Sequence, residues 1–351
     1  MTTQPPPQPD DPAAAVAGRD PLEVAADAVE DALGELEPAA AAAMDHLDQP
    51  RRVLFVHAHP DDETIGTGAT MARYAEAGAT VVLLTLTRGE LGEVIPAELA
   101  HLDPDALAEH RVGELATAME ALGVADHRFL TRPDGTAYRD SGMVWLEPGR
   151  AAVGDDVDPR ALAAADPEEV AAQVASVVRE VRPQVVVTYE PGGGYGHPDH
   201  VRAHEATMRA LVLAAGDHHD GTVPWQVAKV YEIVEPESAV RSALRAIADS
   251  GAPGAADPDG SLPSVVVPDE QVTTAVDGTG QLPAKIAALR AHATQITLDL
   301  DAQVPVLRLS NGVPQPVWPV ERFRLVHGVV AGPRDDDGHE TDLFAGVAPA
   351  D

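Results

Sequence analysis

Val53-Leu54-Phe55-Val56-His57-Ala58-His59-Pro60-Asp61-Asp62-Glu63 is the stretch on which the fold turns. Its four leading apolar residues leave no polar face, as in a strand covered on both sides of a parallel sheet. The run ends in a Pro-initiated turn dense in imidazole and carboxylate. Helical spacing follows from about residue 64 to residue 77 and stops at Gly78, a favourable helix terminator. A strand that feeds directly into a helix is the opening half of a βαβ unit.

Working outward, the same alternation recurs. Residues 81–86 read as a second buried strand, 104–122 as a helix ended by Gly123, and 128–130 as a third strand. A long Gly/Pro/Asp-rich connection over 132–166 precedes a helix at 167–181, broken by Pro183, and a fourth apolar strand at 185–189. This order predicts right-handed crossovers and an α/β fold: a doubly wound, mostly parallel, Rossmann-like sheet. Beyond about Trp225 only a strand at 229–234 and helices at 238–248 and 282–294 stand out, so a smaller, less regular C-terminal lobe is expected. The organisation read from this is an acidic extension over 1–50, disordered or weakly helical; a metal-binding catalytic core over 51–225; and a lobe over 226–351 that completes the substrate pocket within the same globular unit.

Composition narrows the chemistry. The chain carries 24 Lys+Arg against 57 Asp+Glu, a formal charge of −33, so nucleic acid and anionic membrane are excluded as main partners. Hydrophobic residues at 44% against 23% charged are enough for a core and exclude global disorder. There is no cysteine, which removes disulfides, thiolate nucleophiles and Cys-type zinc sites. Any metal must be held by His, Asp or Glu. No apolar run nears the roughly 18 residues of a membrane span, and the first residues lack the basic-then-apolar order of a secretory signal. A soluble, cytoplasmic protein is expected.

In an open α/β sheet, ligands bind beyond the carboxyl ends of the strands. The first strand runs into His59-Pro60-Asp61-Asp62-Glu63, and the fourth into Glu190-Pro191-Gly192-Gly193-Gly194-Tyr195-Gly196-His197-Pro198-Asp199-His200. If these strands are neighbours, two imidazole and carboxylate clusters share one rim, a donor set suited to zinc. His59 and Asp62 flank the turn and can face one ion; His200, at the start of a helix, supplies a third ligand. Two His and one Asp leave positions open, as catalytic sites do. Asp61 is then the candidate base for a metal-activated water. Tyr195 and His197 can donate to a tetrahedral oxyanion, with His197 also a candidate acid for the leaving amine. Asp199 can orient His197. Iron(II) would fit the same N2O set as well as zinc. Taken alone, the Asp-Asp pair could merely cap a helix, and the glycines could cradle phosphate. No Gly-x-Gly-x-x-Gly follows the first strand, which argues against a nucleotide-binding oxidoreductase.

These motifs resemble those of the zinc-dependent LmbE-like (PIG-L) de-N-acetylases. The resemblance extends to residues 89–95 (Gly-Glu-Leu-Gly-Glu-Val-Ile), 110–115 (His-Arg-Val-Gly-Glu-Leu), 139–143 (Arg-Asp-Ser-Gly-Met), 291–295 (Ala-His-Ala-Thr-Gln) and 340–346 (Glu-Thr-Asp-Leu-Phe-Ala-Gly). It runs from about residue 51 to 349 and leaves out residues 1–50. It implies zinc on His59, Asp62 and His200, Asp61 as base, and polarisation of the amide carbonyl by Tyr195. It also implies contacts from Arg111, Asp140 and Glu93 to the hydroxyls of a small pseudodisaccharide. The implied reaction is removal of acetate from an N-acetylglucosaminyl-inositol. A conjugate amidase on the same scaffold is the nearest rival, and a non-catalytic metal- or sugar-binding module the rival of another class. A homo-oligomer is left open.

Overall fold

The computed structural model describes residues 50–147, 150–154, 157–216, 222–302 and 304–347; the extension expected over 1–50 lies almost wholly outside them. β1 (Arg52–His57) is buried on both faces, with Val53 to Val56 all fully inaccessible. α1 (Asp62–Glu76) follows at once, then β2 (Thr80–Thr85), parallel to β1. α2 (Pro104–Leu122) begins where the Asp103 carboxylate accepts the Ala106 N–H at 2.9 Å and Pro104 takes the first helical position. It ends at Gly123 in the left-handed conformation, φ 71°. Those are the start and stop signals expected for a helix. β3 (Asp126–Phe129) closes this side of the sheet.

The connection read as a loop contains a hairpin, β4 (Val144–Glu147) and β5 (Arg150–Ala152). α3 (Pro167–Val181) returns the chain to β6 (Val185–Tyr189), parallel to β1 on the side opposite β2. α4 (Pro198–Ala215) leads to β7 (Lys229–Ile233), parallel to β6.

The remainder is more regular than its sequence suggests. β8 (Glu235–Pro236), α5 (Glu237–Asp249) and β9 (Val266–Val267) are followed by β10 (Thr274–Asp277), α6 (Leu282–Ala291), a small sheet of β11 (Thr297–Asp299), β12 (Val306–Arg308) and β13 (Pro314–Pro316), and finally β14 (Val320–His327). β14 and β10 extend the main sheet antiparallel, giving the order β10-β14-β7-β6-β1-β2-β3. The tail was expected to be irregular; β14, full of charge, carries little of the pattern of a strand. Each charge is matched: Glu321 with Lys285, Arg322 with Glu235 and Arg324 with Glu232. Helix α6 also stops at Ala291, three residues short of the expected end.

Side chains alternate across the sheet, as the period of a strand requires. Leu54, Val56, Val82, Leu84 and Val186 pack with Val170, Val174 and Val178 of α3 and Ala203, Ala206 and Ala210 of α4. Val53, Phe55, Val81, Leu83 and Val187 pack on the other face with Met71, Leu115, Met119 and Ala288 of α1, α2 and α6. The chain leaves β1 towards β2 and β3, then returns to pair β6 on its other flank. The crevice between the carboxyl ends of β1 and β6 is therefore the topological switch point.

Candidate active site

Both His/Asp segments open into that crevice. His59 lies two residues past β1, in the turn to α1; His197 and His200 lie at the start of α4, after β6. Between β6 and α4 the loop folds back sharply enough to need glycine. Gly193 has φ 64°, and a Cβ there would come within 2.7 Å of the Val201 nitrogen and 2.8 Å of the His200 Cβ. The Glu190 carboxylate holds this loop by accepting the N–H groups of Gly192 and Gly194 at 2.5 and 2.6 Å.

Three donor atoms converge. His59 Nδ1, Asp62 Oδ2 and His200 Nε2 stand 3.3 Å from one another on all three sides. Ligands at ~2.0–2.1 Å from a tetrahedral zinc are about 3.3–3.4 Å apart, so the triangle has the size of one face of such a site. The other ring nitrogens are anchored as metal-binding imidazoles require. His59 Nε2 lies 3.1 Å from Asp199 Oδ2, and His200 Nδ1 lies 3.1 Å from the Gly193 carbonyl. Asp62 Oδ2 also accepts the Tyr189 hydroxyl at 2.8 Å and the His59 N–H at 2.9 Å. Burial pushes the Asp62 carboxyl up, but His200 and His59 outweigh it and hold the group well below the usual carboxylate range. The cluster thus fits a divalent metal.

Asp61 points elsewhere. Its Oδ2 lies 3.3 Å from Arg111 Nη2. Burial, opposed by Arg111 and reinforced by Asp62, pushes its carboxyl up to about 6. That is closer to neutrality than an ordinary aspartate, as suits a group that takes and returns a proton.

The other expected residues are distributed as follows. The His197 ring lies 4.5 Å from that of His59, centre to centre. Its Nδ1 accepts the Asp199 N–H at 3.2 Å, which leaves Nε2 to carry the proton of the neutral ring. Asp199 was expected to orient His197 through its carboxylate; instead that carboxylate bonds His59 and accepts both the N–H and the hydroxyl of Ser141. The His197 ring is itself the cap of α4, and the Asp199 main-chain N–H that it accepts does the orienting. Tyr195 is half-buried, stacked on Trp145 of the β4–β5 hairpin at 5.7 Å, and 5.2 Å from the His200 ring. Asp140 Oδ1 is 3.7 Å from His59 Nε2, and its two oxygens accept the N–H groups of Gly142 and Leu91.

Arg111, expected on the hydroxyls of a sugar, is 3% exposed. Its two terminal nitrogens donate to the carbonyls of Gly89 and Pro60. The fork is thereby committed to the main chain of two loops, one of them the turn that carries Asp61. Glu93 is exposed and makes no hydrogen bond or ion pair with these groups among the described residues.

Sequence reasoning passed over Tyr189, Ser141 and Glu190 as site residues. Tyr189 and Glu190 were signalled by their position at the end of a buried strand, and Ser141 by its place in the family-like segment 139–143.

With the geometry in place, comparison with known proteins fixes the class. The family model for GlcNAc-PI de-N-acetylase (PIG-L) matches residues 54–211, and the chain belongs to this family. A 1D-myo-inositol 2-acetamido-2-deoxy-alpha-D-glucopyranoside deacetylase from Kineococcus radiotolerans is 79% identical over 99% of this chain and 99% of its own. A protein of the same name from Nocardioides sp. is 50% identical over 85% of this chain and 99% of its own. Among solved structures, the 4-carboxy-2-hydroxymuconate hydratase GalB from Pseudomonas putida shares the fold, with TM-score 0.50 and 18% identity over 81% of this chain and all of the other.

Proposed function

We propose that the chain is a cytoplasmic, zinc-dependent N-deacetylase. It hydrolyses the acetamide of N-acetylglucosaminyl-inositol to acetate and glucosaminyl-inositol, a step of mycothiol biosynthesis. The observation that carries this reading is the 3.3 Å triangle of His59 Nδ1, Asp62 Oδ2 and His200 Nε2. The 79% identical relative bears the deacetylase name, which supports the choice of substrate over that of the rival amidase.

His59, Asp62 and His200 would hold the ion. Bound there, a zinc ion supplies Lewis acidity, making a water nucleophilic near neutral pH and polarising a carbonyl. Asp61 accepts the proton of the attacking water and returns it to the amine nitrogen as the C–N bond breaks, so no proton is gained or lost overall. His197, with Nε2 protonated, donates a hydrogen bond to the developing oxyanion; the half-buried Tyr195 hydroxyl is the second donor. Asp199 keeps His59 in one tautomer. Asp140 accepts from sugar hydroxyls, and Glu93 does so at the rim. Arg111 acts through Asp61 and the turn before it.

The test is a comparison of two substrates with one preparation, purified without chelator or added metal and analysed for its ion. Acetate release from N-acetylglucosaminyl-inositol should exceed cleavage of a bimane conjugate of mycothiol, with about one zinc per chain. Strong preference for the conjugate, or iron in place of zinc, would overturn the corresponding part.

A further inference from the structure

We propose that Glu63 and His292 form a buried brace that holds the Asp61 main chain in its working conformation, making both of them positioning residues. This rests on the reading of Asp61 as the base.

Asp61 has φ 119° and ψ −35°. Among the described residues only it and Arg182 combine a side chain with positive φ, and Arg182, at φ 51°, sits in the ordinary left-handed well. Asp61 lies outside that well, in a strained conformation that persists only when its surroundings impose it. A flip of the peptide joining residues 60 and 61 would let φ relax.

Both ends of that one peptide are gripped. Its carbonyl, on Pro60, accepts from Arg111 Nη2. Its N–H, on Asp61, donates to Glu63 Oε2 at 2.9 Å. The other Glu63 oxygen receives His292 Nε2 at 2.8 Å and the Thr64 hydroxyl at 2.5 Å. Glu63, Thr64 and His292 are all fully buried.

His292 reaches Glu63 from 229 residues away because the chain leaves α6 at that residue. The next turn is tied down by Thr294, whose N–H and hydroxyl donate to Glu114 at 2.8 and 2.6 Å. Glu114 lies on α2, the helix that carries Arg111. One helix therefore backs both grips.

Stability alone does not account for such a pair. A buried ion pair is commonly matched by apolar residues of equal volume, because its desolvation cancels the attraction. What an apolar pair lacks is an acceptor for the Asp61 N–H. The family-like segments at residues 59–63 and 291–295 thus meet in one device.

The experiment compares His292→Leu, His292→Gln and Thr64→Val with wild type for metal content, kcat and KM on N-acetylglucosaminyl-inositol. His292→Leu should retain its metal and KM within twofold while kcat falls ~10²-fold, the range lost when a proton-transfer group is misplaced. His292→Gln, which keeps a donor to Glu63, should recover most of that loss. Thr64→Val, nearly isosteric, should lose kcat several-fold and serves if the Leu variant fails to fold. A second arm needs no turnover: Asp61→Gly should melt higher than Asp61→Ala in the wild-type background, and the gap should vanish beside His292→Leu. Unchanged kcat at full metal occupancy, activity lost only in step with metal, or a gap that survives His292→Leu would overturn the brace. Failure of wild type to release acetate, with the melting gap behaving as expected, would overturn the proposed substrate and leave the brace standing.

Discussion

At position 61 an aspartate occupies backbone geometry that suits glycine. Gly replacing Ala usually destabilises by about 0.4–1 kcal/mol through the unfolded chain. Here the sign inverts, because a side chain at φ 119° carries strain of about 1–3 kcal/mol. Calorimetry of the two variants, both lacking the carboxylate, isolates this term; an Ala variant that melts as high as the Gly variant argues against the strain. Asp61→Asn addresses the chemistry instead. Turnover should fall ~10²–10⁴-fold while metal analysis still finds the ion, because the three proposed ligands are untouched. His59, Asp62 and His200 were legible from sequence because short motifs after buried strands carry them. Glu63 could be read as part of the same motif, but its partner stands 229 residues away, and no local spacing joins them. Asp199 misled for a related reason: its neighbour in sequence is His197, whereas its carboxylate reaches back 140 residues to His59.

Among the elements, the core helices follow from spacing and caps, and β1, β2 and β6 from apolar runs; that β1 and β6 are neighbours, which makes the switch point, stayed a condition until the pairing was seen. β14 was not legible. Its sequence, Val-Glu-Arg-Phe-Arg-Leu-Val-His, places charge where a central strand usually has none, and the acidic and basic partners of those side chains all come from other elements. Lys285 of α6 bonds Glu321 at 2.6 Å, and both are at most 2% exposed; Glu321 also accepts the N–H groups of Ala69 and Thr70 in α1. Lys285→Met should therefore cost about 3–5 kcal/mol, since it leaves a buried carboxylate unpaired. The double variant Lys285→Met/Glu321→Gln should regain most of this. Urea unfolding of the three proteins decides it, and a double variant no better than the single would refute the pairing as the cause.

Across the whole molecule, charge sets how stability responds to solvent. At a formal charge of −33, self-repulsion opposes the compact state, and salt shortens its range to about 10 Å at 0.1 M and ~3 Å at 1 M. The melting temperature should rise with sodium chloride between these concentrations; a fall would mean that ion pairs rather than repulsion dominate. Acidity acts through particular groups as well. Burial, only partly offset by Arg322 and Lys285, pushes the Glu235 carboxyl up to about 8. The folded chain then holds a proton there that the unfolded chain releases near pH 4.5. This contribution to stability is present below the lower value and is lost as pH rises to the higher one. Glu235→Gln should flatten the decline between them, as read by urea midpoints across pH; an unchanged slope would exclude Glu235 as its source.

The chain has two lysines, Lys229 and Lys285, and each is 1% exposed. Lys229 is bonded to Glu340 at 2.6 Å, and Lys285 to Glu321. Acylating reagents therefore find no ε-amine on the native surface, and every acylated lysine recovered by peptide mapping marks a molecule whose sheet had opened. Brief pulses of such a reagent would count those openings one by one, with two built-in reporters and no engineered probe.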